Sequence, residues 1–380
     1  MPAGAAMLFN YFHLMPWTYC DEPPTTWPVS NKTFDPAKAQ ALYRTYVDDM
    51  AYAEDCGFDW VGCNEHHFSP YGLMSNCNLI GSVLAHRTGK IKLGMLGNLV
   101  PLLNPVRVAE EYAMLDVMSG GRLIAGFMRG IPHEYRAYNV NPDESMSRLD
   151  EAAELIVKCW TSDEPFRWEG EHYQFPSVSI WPRPMQRPHP PLLMSAATPE
   201  TAAMAAKHKA IMGMTLIADL DVARKNIEFF RSEARSRGWE PQRHHILTGH
   251  QTVIADTDDE AIAIMRSGLD YFHRVLMRPQ REAQTEVLTK TGYYGEADSK
   301  QYFDKRLATL RERTLEEQIE AGTVLCGSPE SIVKQMKKIN AATDNGVFNM
   351  TMKIGDMPDS AVRRGMELFR DRVLPNVRDL

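Results

Sequence analysis

The stretch Phe58-Asp59-Trp60-Val61-Gly62-Cys63-Asn64-Glu65-His66-His67-Phe68 starts as a run of buried-strand residues and passes directly into Asn-Glu-His-His. An apolar run that ends in a polar cluster is the pattern of a barrel strand, packed at one end and open to a site at the other. The reading places a strand over 58–64 and its chemical end at residues 65–67.

The same alternation extends along nearly the whole chain. Strand patterns fall at 7–13, 58–64, 91–99, 122–127, 191–196, 211–217, 246–255 and 347–353, eight in all, separated by helical patterns. Asp35-Pro36 opens the first helix, Asp as cap and Pro at its first position. Further helices are expected at 77–87, 105–118, 145–161, 199–208, 220–237, 258–277, 329–341 and 359–373. The fold class is therefore α/β, an eight-stranded (β/α)8 TIM barrel forming one domain over 1–380, with a doubly wound sheet as the structural alternative. Two segments break the rhythm. Residues 163–190 hold six prolines and read as an inserted hairpin and extended loop. Residues 278–320 are polar and too long for a structureless connector, as lids are.

Composition narrows the function. Of 380 residues, 44% are hydrophobic and 24% charged, ordinary for a soluble globular protein. A net charge of −7 without a Lys/Arg block argues against nucleic acid. No apolar run is long enough to span a membrane, and the start of the chain lacks a signal-peptide pattern. The six cysteines are scattered, without Cys-x-x-Cys, which fits reduced thiols and a cytoplasmic location. No Gly-rich dinucleotide or triphosphate fingerprint occurs.

In a β/α barrel the chemistry lies at the C-terminal strand ends. Those ends carry Phe12 and His13, Glu65-His66-His67, Asn98, Met128-Arg129-Gly130, and Ser195-Ala196-Ala197-Thr198. The last group opens a helix, where backbone N–H groups and two hydroxyls suit a phosphate. Arg129 and Arg148 are able to add charge and bidentate geometry, or to pair with neighbouring acids. His66 and His67 are successive strand residues and point to opposite faces, so a shared metal is the minority reading, and no metal is assigned. A core role for His66 is the bland alternative.

At these residues a family resemblance enters. Glu65-His66-His67-Phe68-x-x-Tyr71-Gly72-Leu73-x-x-Asn76 resembles the second-strand motif of the bacterial luciferase-like flavin monooxygenases. Pro101-x-x-Asn104-Pro105-Val106-Arg107-x-x-Glu110, Leu115-Asp116-x-Met118-Ser119-x-Gly121-Arg122 and Gly126-x-x-Arg129-Gly130 are similar to the same family, in the same order. Ser147-Arg148, Phe166-x-x-x-Gly170-x-His172-Tyr173 and Gly327-Ser328-Pro329-Glu330 continue the resemblance over nearly the whole chain.

The resemblance implies a two-component monooxygenase. Such an enzyme takes reduced FMN from a separate NAD(P)H-dependent flavin reductase, reacts it with O2, and oxygenates a small-molecule substrate through a flavin C4a-hydroperoxide. It implies that His66 is the catalytic histidine. It implies cofactor contacts from Arg129, Arg148, Ser195, Ala196, Ala197 and Thr198 at the phosphate and from Glu134 at the ring. Leu96, Gly97 and Asn98 fall where the family has a non-prolyl cis peptide against the flavin, so a cis bond is expected near Leu96-Gly97. It implies a homodimer through helices 77–87 and 105–118, and a mobile loop at 278–320 that keeps water out. Light-emitting members have a reactive cysteine where this chain has Met128, which argues against light emission. Phe12, His13, Trp17, Tyr71, Met74 and Met128 form the expected wall for a small apolar or aromatic substrate. Hydride transfer with a deazaflavin or flavin, and a non-catalytic flavin-binding role, are the alternatives on the same fold.

Overall fold

Eight short parallel strands close on themselves in the computed structural model, which describes residues 6–291 and 313–380. The staves are β1 (Leu8–His13), β2 (Trp60–Cys63), β3 (Lys92–Met95), β4 (Leu123–Phe127), β7 (Leu192–Ser195), β8 (Ile211–Met214), β9 (Ile246–Ile254) and β11 (Val347–Thr351). The pairing of β1 with β11, Leu8 opposite Val347 through Phe12 opposite Thr351, shuts the barrel. The expected TIM barrel is therefore the fold, and the doubly wound alternative falls away. Each strand is apolar on both faces because one face packs inside the barrel and the other beneath the helices.

The helices that frame the site begin where their caps predict. In α1 (Pro36–Asp55), Asp35 accepts the N–H groups of Ala37 and Lys38. Asn76 does the same for α2 (Cys77–Arg87), and Asn104 for α3 (Pro105–Met118). The six-residue α4 (Pro132–Ala137) follows β4, and α5 (Ser145–Thr161) follows it. The inserted segment forms the expected antiparallel hairpin, β5 (Phe166–Glu169) with β6 (Gln174–Val178). Beyond β7 come α6 (Pro199–Lys207), α7 (Leu220–Ser236) and α8 (Asp258–Tyr271), the last continuing as a π turn through Leu276.

Part of the segment expected to be a lid is regular structure. Residues Arg278–Lys290 form helix α9, seated on α4 by an Arg136–Glu286 ion pair of 2.6 Å and by Leu288 packing with Tyr135. Residues Leu315–Glu320 form α10. The remainder of the expected lid, 292–312, lies outside the described residues. A four-residue strand, β10 (Val324–Gly327), follows and pairs with the outer half of β9. Sequence reading did not place this strand. Helices α11 (Pro329–Thr343) and α12 (Asp359–Leu368) complete the ring around the barrel.

Candidate active site

Beyond the end of β2, the loop turns the two histidines to different partners. The Nδ1 atom of His66 lies 3.0 Å from Glu134 Oε1 on α4, at the edge of a cavity in the barrel mouth. His67 turns the other way, with Nδ1 3.0 Å from the Tyr138 hydroxyl and Nε2 3.5 Å from Glu65 Oε1. Glu65 accepts the Cys77 N–H at the start of α2 through its other oxygen and also borders the cavity. Among the described residues no group of three or more His, Cys, Asp or Glu side chains is placed to hold a metal ion.

Glu134 comes to His66 through a tight turn. Gly130 has φ +82°, a left-handed conformation that L side chains rarely adopt, and it swings the chain from β4 into α4. The other Glu134 oxygen then accepts the Ile131 N–H at 3.0 Å. Glu134 is fully buried. Burial raises its carboxyl, but the His66 ring, His133 and the Ile131 N–H outweigh burial and hold it below the usual carboxylate range. A buried anion therefore grips one nitrogen of a histidine that is 21% exposed. Tyr71 stands edge-on to that imidazole at 4.6 Å, and burial pushes its hydroxyl up, keeping it protonated.

The cavity, about 200 Å³, has two kinds of wall. Phe12, Leu14, Leu96, Leu99 and Met128 supply apolar lining. Asn64, Ser195, Thr215, Gln251 and Thr351 supply polar lining. Phe272, from the π turn, borders it with Tyr71. Whole-ligand sites run from roughly 300 to 1,000 Å³, so this volume suits one ring system with the rest of a ligand lying outside.

Three of the six expected wall residues, Phe12, Tyr71 and Met128, do face the cavity. The other three do not border it. His13 is one residue beyond Phe12 and so faces the helices. Its Nδ1 accepts the Met15 N–H, and burial, with Lys353 nearby, lowers its pKa to about 3. Trp17 is buried against Phe34 and Tyr19 in the loop after β1, and Met74 is buried behind the β2 loop.

The expected anion-binding residues divide similarly. Buried Arg129 donates through Nε and Nη2 to the Ser145 hydroxyl at 3.1 and 2.9 Å, which brings it to the first turn of α5. Arg148, in that turn, pairs with Glu144 at 2.7 Å and stacks over Tyr173. Ser195 borders the cavity, and Ala196 and Ala197 lead into α6. The Ala196 N–H is bonded to Gly213, Ala197 offers its carbonyl to Asn226, and the Thr198 hydroxyl caps α6. Leu96 lines the cavity. Asn98 points at α2, where it exchanges hydrogen bonds with Asn78 at 2.8 and 3.1 Å.

One expectation is overturned. The Leu96–Gly97 bond is trans, and the cis bonds among the described residues all precede proline, at Trp27–Pro28, Trp181–Pro182 and Arg187–Pro188. The trans chain satisfies its backbone here: the Leu96 N–H reaches Gly94 and the Asn98 carbonyl accepts from Met128. Nothing in that bonding compels a cis geometry costing about 3–4 kcal/mol.

Sequence reading also passed over Asn64, Gln251, Thr351, Phe272 and Ser145. A signal existed for two of them. The register places Phe12 beside Thr351 and Thr351 beside Gln251, so these polar residues in apolar strands share one barrel layer with Phe12.

Comparison with known proteins agrees with this architecture. Residues 29–345 match the model of the luciferase-like monooxygenase family, and the chain belongs to that family. An uncharacterised protein of Sinorhizobium fredii is 36% identical over 197 residues, 51% of this chain and 57% of that protein, so the alignment spans little more than half of that relative. The alkanal monooxygenase alpha chain of Photobacterium leiognathi is 25% identical over 343 residues, covering 90% of this chain and 95% of that one. Among solved structures, monooxygenase RslO1 from Streptomyces bottropensis superposes with a TM-score of 0.73 at 25% identity, covering 97% of this chain and 99% of that one. The oxygenating constituent of 3,6-diketocamphane monooxygenase from Pseudomonas putida, solved in complex with FMN, gives 0.76 at 18% identity and shares the fold over 98% of this chain and 99% of that one.

Proposed function

We propose that this protein is the oxygenating component of a two-component flavin monooxygenase. It takes reduced FMN from a separate NAD(P)H-dependent reductase and uses O2 to oxygenate a small apolar or aromatic substrate. The observation that carries the reading is the His66–Glu134 pair at the rim of a half-apolar cavity in the barrel mouth. A relative supports it: one similar protein is the oxygenase component of a flavin-dependent trigonelline monooxygenase of Acinetobacter baylyi, 26% identical over 230 residues.

The residues present fit the flavin. The cavity suits its ring system, with Leu96 and Met128 as apolar contacts. Arg129, Arg148 and the Ser195–Thr198 turn are the groups that would hold the phosphate outside it. Reduced FMN, when bound, supplies the electrons for O2 activation. With Nδ1 held by Glu134, Nε2 of His66 is the nitrogen left to give or take a proton inside the cavity. The apolar wall keeps water from that proton exchange and orients an apolar substrate.

The same reading makes the protein a cytoplasmic homodimer. No helix among the described residues is long and apolar enough to cross a membrane. Leu79, 68% exposed, and Val83 on α2, and Met114, Val117 and Met118 on α3, are exposed apolar side chains on two neighbouring helices, as a surface covered by a second copy would carry. Leu79→Glu with Met114→Glu should convert a dimer to a monomer in sedimentation.

The function is tested by oxygen uptake with FMN, NADH and a flavin reductase, across a panel of apolar and aromatic compounds. The expected result is a compound that lowers the H2O2 released per O2 consumed and acquires oxygen from ¹⁸O2. Complete conversion of O2 to H2O2 with every compound contradicts it.

A further inference from the structure

Most polar side chains around the barrel mouth are engaged. Asn78 and Asn98 bond each other reciprocally, and Asn76 and Asn104 cap helices. Asn64 differs. It stands one residue past β2, is 2% exposed, borders the cavity, and neither its Nδ2 nor its Oδ1 has a partner among the described residues. A buried amide deprived of both bonds is destabilising, and folded proteins keep such groups where something else completes them.

The Asn64 backbone is closely packed. Gly97 packs so closely on Asn64 that a Cβ there would lie 2.8 Å from the Asn64 carbonyl carbon. Two residues back, Gly62 leaves room for the Asn10 and Phe12 side chains, which lie 2.7 and 2.8 Å from where its Cβ would be. Gln251 and Thr351 also line the cavity, with Phe12 beside Thr351 in the register.

A primary amide offers a donor and an acceptor side by side in one plane. Its complement is another planar edge with the opposite order, a carbonyl next to an N–H. We infer that Asn64 is the anchor of the cavity and receives a –CO–NH– edge, either the imide edge of the flavin ring or a cyclic amide in the substrate. The inference rests on the cavity being the flavin and substrate site proposed above. It narrows the ligand from apolar or aromatic to apolar with one amide-like edge, and it makes Asn64 a binding residue distinct from the proton-handling His66.

Two binding arms test it without turnover. In the first, the affinity of the protein for FMN is compared with that for FMN methylated at N3, which blocks the edge. In the second, ligand-observed NMR compares cyclic amides with their N-methyl counterparts on the protein with and without FMN. Both arms are run on wild type, Asn64→Leu and Asn64→Asp, with thermal melts to show that each variant folds. A preference of about tenfold for the unmethylated ligand, lost in both variants, is expected. Asp keeps the size of Asn but lacks the donor, so its loss separates hydrogen bonding from space filling. Preference in the first arm assigns the edge to the flavin, and in the second alone to the substrate. If wild type shows no preference in either arm, or the preference survives in Asn64→Leu, the amide holds only water and the inference is overturned. Failure to bind FMN at all overturns the flavin reading instead, and the second arm on the flavin-free protein then decides for or against Asn64.

Discussion

His13 and His66 each stand at the end of a barrel strand, at the same mouth of the same barrel, and have opposite fates. His13 faces outward, fully buried beneath α1, with Tyr46 at 4.7 Å, and burial holds it neutral. His66 comes after its strand has left the pleat, reaches Glu134 on the next layer of structure, and stays partly open to the cavity. A side chain still within the strand follows its parity into the core, and one in the loop beyond reaches the edge of the cavity. Residue type and strand-end position nominate candidates, and facing selects among them.

The largest effect that would break this contrast is on turnover. His66→Gln, whose amide can still donate to Glu134, should lower coupled oxygenation by about 10²–10⁴-fold while the melting midpoint moves little. His13→Ala should do the reverse, destabilising the fold by about 2–4 kcal/mol while leaving the activity of folded molecules near wild type. Activity assays paired with chemical denaturation of the two variants separate these outcomes.

The pH dependence of stability sharpens the same contrast. Burial lowers His13 to about 3, and His133 and His250 each to about 4. A histidine depressed in the folded state binds its proton in the unfolded chain first, so stability is full above about 6.5 and falls as pH drops below it. Each such group costs about 1.4 kcal/mol per pH unit until pH approaches its folded pKa. Denaturation midpoints measured from pH 7 to 4.5 should fall steeply, and His250→Gln should flatten the slope.

A smaller effect concerns the arginines. Arg129→Ala should weaken FMN binding by about 10–100-fold, because a buried guanidinium already turned to the α5 start is lost. Arg148→Ala should cost less, since its guanidinium is half committed to Glu144. Titration of FMN against both variants checks the order, and an equal loss would show that Glu144 releases Arg148 when the anion binds.

The fold was largely legible. The ranges 77–87, 105–118 and 145–161 coincide with α2, α3 and α5; Asn76 caps the first, and Asn104 with Pro105 opens the second. Two short elements were not: β10 directly follows the polar 278–320 stretch, and α4 reads as a Gly-Ile-Pro turn. The site was half legible. His66 and Met128 follow from strand ends, and the family motifs pointed to Glu134. Yet the inward placement of Asn64 and Gln251, the outward turn of His13, and the trans Leu96–Gly97 bond depend on register and packing between strands far apart in sequence.

The central claim is that the cavity beside His66 is where flavin chemistry happens. A crystal structure of the protein soaked with FMN tests it most directly. The ring system should lie between Leu96 and Met128, facing His66, with the phosphate on the Arg129 side. Flavin bound elsewhere, or a ring in the cavity with His66 turned away from it, would show that flavin chemistry does not happen there.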